Sequence, residues 1–196
     1  MSFAAFAARA AALTLSVLVC AAPVVATAQT ATPAAPSATV SAAPSANPAD
    51  VASIDAIVAA LYDVISGDAG APRDWDRFTG LFLPGATLAA TGRTPEGRFR
   101  ARVLAPADYV ARNGPYFADH AFFEREIGRR TSGFGPIVQV QSAYASRNAA
   151  DAAQPFERGV NAIQLVNDGT RWWIVSILWT TETPQTPLPA DLLTAP

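Results

Sequence analysis

An α+β fold is predicted, with a curved mixed or antiparallel sheet of about six strands packed on three helices in the order ααββαββββ. Three observations carry this. Trp75, Phe78 and Phe82 recur at helical spacing behind Asp74 and Asp76, and Pro84-Gly85 then stops the helix abruptly before a strand. Beyond His120 four strand-like segments follow, at about 121–131, 137–147, 157–167 and 171–181. Asp168-Gly169 between the last two is a strong short hairpin signal.

The first helix is expected to start at Asn47-Pro48-Ala49-Asp50, with Asn47 as its cap and Pro48 in the first turn. Val51, Ile54, Val58, Leu61, Tyr62 and Ile65 form one apolar face, and Ser66-Gly67 ends it. The second helix is the one behind Asp74. Segments 86–91 and 98–103 then flank Thr94-Pro95-Glu96-Gly97, whose Pro and Gly suit the turn of a short hairpin. The third helix starts at Ala105-Pro106-Ala107-Asp108, carries Tyr109 and Val110, and is expected to break or kink at Gly114-Pro115. In the last strand Trp173, Val175, Ile177 and Trp179 alternate with Trp172, Ile174 and Leu178, so both faces are apolar and both need cover. The helices cover one face. For the other, either a second subunit packs sheet to sheet, making the protein a homodimer through its outer face, or the tail from Pro184 to Pro196 folds back.

The ends of the chain differ in kind from its middle. Arg9, the apolar run from Ala10 to Ala22 and Ala26-Thr27-Ala28 have the layout of an export signal over residues 1–28, cleaved after Ala28. The apolar run is shorter than a bilayer span of roughly 20 residues and Pro23 interrupts it, so no membrane anchor is expected after cleavage. Val19 stands before Cys20, where a lipid-attachment signal resembling the bacterial type has a small residue, and lipidation is not expected. Cleavage removes the single cysteine, which excludes disulfides and thiolate chemistry from the mature chain, and it takes the formal charge from -2 to -3 by removing Arg9. Residues 29–49 are an Ala/Pro/Ser/Thr-rich linker too poor in bulky side chains to fold. A folded domain is expected over 50–183, a Pro-rich tail over 184–196, and a periplasmic or secreted location.

Composition excludes several functions. There is no basic block, so no footprint for nucleic acid. One histidine and no mature cysteine leave no metal-ligand set, and neither a Gly-x-Ser-x-Gly elbow nor a phosphate loop occurs. Neither metal nor cofactor is expected.

The element order and four stretches, Trp75 to Ala86, Phe122 to Ile127, Arg158 to Leu165 and Asp168 to Val175, resemble the NTF2-like, or SnoaL-like, superfamily over roughly residues 50–183, and a bacterial branch of it. The resemblance implies a cone formed by the curved sheet and the helices. It also implies that a catalytic member works with a Tyr or Asp from the helices and a His, Asp or Asn from the inner sheet face. Here Tyr62, on the apolar face of the first helix, is the candidate oxyanion donor, or else a buried phenol bonded within the core. His120 is the candidate base, being the one side chain that titrates near neutrality unaided. A regular strand places His120, Phe122, Glu124 and Glu126 on one face, either as an acid/base group with an orienting carboxylate or as a solvated edge held by ion pairs across to the next strand. Asn161 and Gln164 fall on opposite faces, so at most one lines the cone. The expected lining is Trp75, Phe78, Phe82, Tyr109, Tyr116, Phe122, Asn161 and Trp179, which suits a small apolar ligand. With no second histidine, dehydratase chemistry is disfavoured. The leading expectation is a binding domain for such a ligand or a protein partner, without evident catalysis. The alternative is a cofactor-free isomerase, lyase or hydratase.

Overall fold

Two residues compete to cap the first helix, and each takes part of it. In a computed structural model that describes residues 45–193, Asn47 accepts the Ala49 N–H at 3.1 Å and starts a 3-10 turn over Pro48–Val51. Ser53 then becomes extended and accepts the Ala56 N–H at 3.0 Å, starting α1 at Ile54–Ile65. The helix expected from Asn47 is therefore divided at residues 52–53. The expected export signal and the linker up to residue 44 lie outside the described residues.

Asp74 accepts the Arg77 N–H at 2.8 Å and caps α2, Trp75–Gly80. This helix is shorter than expected. Its chain passes directly into β1, Phe82–Arg93, and Pro84-Gly85 forms an irregularity inside that strand, with Gly85 at φ 86°, where the pairing register shifts. The hairpin to β2, Phe99–Leu104, closes as expected through Thr94–Gly97. The third helix, α3, runs Pro106–Asp119 without ending at Pro115. The carbonyl left without its donor belongs to Ala111, which lies on the exposed side of the helix, where water can serve it.

The remaining strands are β3, Phe123–Phe134, β4, Ile137–Arg147, β5, Glu157–Asn167, and β6, Trp172–Thr181. One mixed sheet results, in the order β2-β1-β6-β5-β4-β3, and only the β1–β6 pair is parallel. This is the predicted α+β order, with three α-helices on one face. Between them lies the core, which includes Ile57, Val58 and Leu61 of α1, Phe78 and Leu81, and Ile163, Leu165, Ile174 and Ile177 of the sheet.

The two faces of β6 do not follow the simple alternation expected. Gln164 pairs with Ser176 and Leu165 with Ile174, leaving Val175 as an extra residue that reverses the phase. Ile174 and Ile177 are consequently both buried on the inner face, where Trp172 and Trp179 also pack, while Leu178 is exposed on the outer face. Part of that outer face is covered within the chain. The Arg158–Glu182 ion pair turns the tail back, Leu192 is buried, and the tail lies over β3 and β4. Gly128 permits this approach, since a Cβ there would stand 1.8 Å from the Leu192 carbonyl oxygen. Phe99, Val103 and Leu178, at the other end of the sheet, stay exposed.

Candidate functional site

The aromatic residues expected to line an open cone pack on each other. Phe78 meets Phe82 with ring centroids 4.9 Å apart, Tyr109 at 5.3 Å and Trp75 at 5.8 Å, and Tyr109 reaches Trp179 at 6.2 Å. Phe122 joins the same mass through Phe117 at 5.0 Å. Helical spacing brings Trp75 and Phe78 to one face of α2, and the other rings come in from β1, α3, β6 and the residue before β3, so six of the eight expected lining residues are core. Tyr116 is instead exposed and stacks on His120 at 4.4 Å. His120 is exposed as well. Because α3 continues through Pro115, His120 ends a helix instead of opening a strand, and its backbone N–H and Nδ1 both bond to the Tyr116 carbonyl. It shares no contact with Tyr62, so the expected base and donor are not brought together.

The polar groups gather elsewhere, in a cavity of about 490 Å³ between α1 and β3 lined by Tyr62, Ser66, Glu124, Glu126 and Arg129 among others. Strand geometry explains why. Glu124 and Glu126 sit two apart and face inward, opposite Ser146 and Tyr144 of β4. A bulge at Ile127 then shifts the phase, so that Arg129, opposite Ser142, also faces inward. Glu126 receives the Arg129 guanidinium in a two-pronged pair, and Arg129 also reaches Asp55 on α1.

The donors form a directed chain. Ser142 gives its one hydroxyl hydrogen to Glu126, so the 2.7 Å contact between Tyr62 Oη and Ser142 Oγ is donated by the phenol. Asn161 Nδ2 donates in turn to Tyr62 Oη at 3.1 Å. Burial holds the Tyr62 phenol far above its ordinary pKa, so it stays neutral. Glu124 lies beside this chain. It accepts the Ser146 hydroxyl at 2.7 Å and is bonded by the Asn161 amide, while Tyr144 donates to the nearby Glu157 at 3.1 Å. Burial, helped by the Glu157 charge, pushes Glu124 up to about 7 against the pull of its Ser146 and Asn161 donors.

The two sides of the cavity are tied together at one end. The Ser66 hydroxyl donates to the Tyr62 carbonyl and accepts the Glu124 N–H at 3.0 Å, and Gly67 and Phe122 exchange backbone bonds at 2.7 and 2.9 Å. Behind them Arg73 donates to the carbonyls of Ile65, Gly67, Asp68 and Ala71 at 2.7–3.2 Å. Among the described residues no group of three His, Cys, Asp or Glu side chains converges to hold a metal ion.

Of the expected site residues, Tyr62 and Asn161 are thus brought together, and Gln164 faces away from them. Glu124, expected as a partner of His120 or part of a solvated edge, is held inside without His120. Ser142, Ser146 and Arg73 had not been anticipated. Ser142, Tyr144 and Ser146 carry polar atoms in every second position of β4, the phase that faces inward, and that spacing was the available signal.

No family model matches the chain, and no curated relative is found. Solved structures do match. A protein of unknown function with a cystatin-like fold from Nostoc punctiforme aligns with a TM-score of 0.51 at 12% identity, covering 69% of this chain and 92% of its own. A protein assigned as the β subunit of an aromatic-ring-hydroxylating dioxygenase from Novosphingobium aromaticivorans aligns at 0.53 and 17% identity, over 74% and 95%. An NTF2-like protein of unknown function from Silicibacter pomeroyi aligns at 0.44 and 17%, over 67% and 94%. At such identities the first two show a shared fold, which is separate from a shared activity.

Proposed function

From an NTF2-like cone whose aromatic interior is filled and whose polar groups surround a side cavity, we propose that this chain is exported and binds a small ligand between α1 and β3. The observation that carries the reading is the inward-facing Glu124, half-buried in a cavity of small-molecule size and held by neutral donors. The ligand is polar at one end, which revises the apolar one expected from the ring residues. Ala59 lines the cavity from α1 and is exposed, so Ala59→Trp fills the space without entering the core. A ligand that co-purifies from the native host, identified by mass spectrometry, is expected with the wild-type protein and lost from Ala59→Trp. Equal recovery from both removes this pocket from consideration.

A second reading is a cofactor-free isomerase or lyase, and the near-neutral pKa of Glu124 favours it, since an acid/base group works best near the operating pH. Here Glu124 replaces His120 as the group that moves the proton. Turnover of the identified ligand should then vanish in Glu124→Gln and persist in His120→Ala.

We also propose that two copies pair through the part of the outer face that the tail leaves open. A groove of about 520 Å³ there is lined by Phe99, Val160, Ala162 and Leu178 among others, and an apolar surface of this kind is a liability when left in water. Size-exclusion chromatography with light scattering should give a dimer at micromolar concentration. A clean monomer rejects the pairing.

A further inference from the structure

Building on the ligand-pocket reading, we propose that the cavity between α1 and β3 selects a small organic cation, an alkylammonium with a compact apolar body, whose nitrogen pairs with the Glu124 carboxylate. The two inward carboxylates of β3 are treated differently by the fold. Glu126 is neutralised by the Arg129 guanidinium. Glu124 has a hydroxyl and an amide on it, and no ion pair to it is formed among the described residues. Hydrogen bonds satisfy its oxygens without removing its charge, so once ionised it is a half-buried anion lacking a counter-ion.

The side chains packed closest to Glu124 supply no counter-ion. Ser66 and Tyr62 face it from α1, Ser146 and Tyr144 from β4, and Asn161 and Glu157 from β5. Tyr109 approaches from α3, and Glu126 lies further along β3. Burial keeps the three phenols neutral, and none of these side chains is a cation. The arginines of the rim do not reverse the sign. Arg129 is consumed by Glu126 and Asp55, and Arg125, which lines the open side of the cavity, is exposed and makes no ion pair with Glu124. An anionic ligand meets repulsion here, and a neutral one leaves the charge uncompensated. A cation offsets it inside a low-dielectric site, where a charge-assisted bond is strongest. Ala59 and the Tyr62 and Phe123 rings supply the apolar contact for its body.

The test uses three probes of one size, cyclohexylamine, cyclohexanol and cyclohexanecarboxylate, titrated calorimetrically into the purified protein. At about pH 8, where Glu124 is ionised and an alkylammonium of pKa near 10 is still charged, the amine is expected to bind at least about tenfold tighter than the alcohol. Its affinity should fall at about pH 5.5, as Glu124 takes up its proton. Glu124→Gln should bring the amine to the level of the alcohol, and retained alcohol binding shows that the variant is folded. The inference is overturned if the alcohol or the carboxylate binds as tightly as the amine, or if Glu124→Gln keeps the preference. A co-purified ligand that Ala59→Trp expels but that carries no cationic nitrogen also overturns it, while leaving the pocket itself in place. If no probe binds and Ala59→Trp loses nothing, pocket and cation fail together.

Discussion

Arg73→Ala is expected to lower stability by about 2–4 kcal/mol, through the loss of a cluster of charge-assisted hydrogen bonds to backbone carbonyls. Arg73 is 9% exposed, and its guanidinium spans four carbonyls of the loop that follows α1. Gly67 and Asp68 keep one backbone donor each, from Phe122 and Ala71, but the carbonyls of Ile65 and Ala71 lose the donor that Arg73 supplies. Arg73→Lys should recover little of the loss, since a single ammonium cannot reproduce a planar fork of donors. Gly67 is part of the same device: a Cβ there would fall 2.8 Å from Arg73 Nη1. The damage should spread toward the cavity, because the loop carries Ser66 and the Gly67–Phe122 bridge that align α1 with β3. Urea unfolding measures the first effect, and faster hydrogen exchange at the Phe122 and Glu124 amides measures the second. A loss below about 1 kcal/mol would show that water replaces the guanidinium and that Arg73 is not a clamp.

Element order was legible in the sequence because it depends on local periods. The ring spacing of Trp75 and Phe78, the Thr94–Gly97 turn and Asp168-Gly169 each state their structure within a few residues, although Phe82 belongs to the strand and not to the helix. Strand phase was less legible. The bulges at Ile127 and Val175 each reverse inside and outside, and they are defined by pairing with strands distant in sequence. Without the first, Arg129 faces outward and Glu126 loses its partner. Without the second, Ile177 faces outward with Val175 and the core loses a residue it needs. His120 was misplaced by a helix that tolerated Pro115. The aromatic set was correctly grouped, but whether grouped rings line a space or fill it is decided by how closely the sheet curves onto them, which no single segment specifies. The site itself was legible at Tyr62 and Asn161, and in part at Glu124 and Glu126, whose shared face was read while the partner expected for them was His120. Ser142, Ser146 and Glu124 acquire meaning when β3, β4 and β5 lie side by side, and Arg73 acts through backbone carbonyls that leave no mark in sequence.

Glu124→Gln is expected to stabilise the folded protein above neutrality and to change it little in acid. The folded pKa of Glu124, about 7, lies above its ordinary 4.5, so the folded state holds the proton more tightly than the unfolded chain does. Its stabilising share is therefore complete below about pH 4.5, declines as the pH rises to about 7, and is gone above that. A shift of this size corresponds to about 3 kcal/mol, at about 1.4 kcal/mol for each unit. Glutamine keeps an oxygen for the Ser146 hydroxyl and does not titrate, so its stability curve should lack this decline. The variant should exceed wild type by up to about 3 kcal/mol near pH 8 and match it near pH 4, as read by urea unfolding at both. Parallel curves for the two proteins would mean that Glu124 is solvated after all. A carboxylate kept where it destabilises the neutral fold needs a compensating use, since replacing it with an amide costs the chain nothing in packing. A ligand that keeps Glu124 ionised provides that use, because its binding to the folded state offsets the same penalty that glutamine removes. Adding cyclohexylamine at about pH 8 should therefore narrow the gap between wild type and Glu124→Gln, whereas cyclohexanol should leave it unchanged.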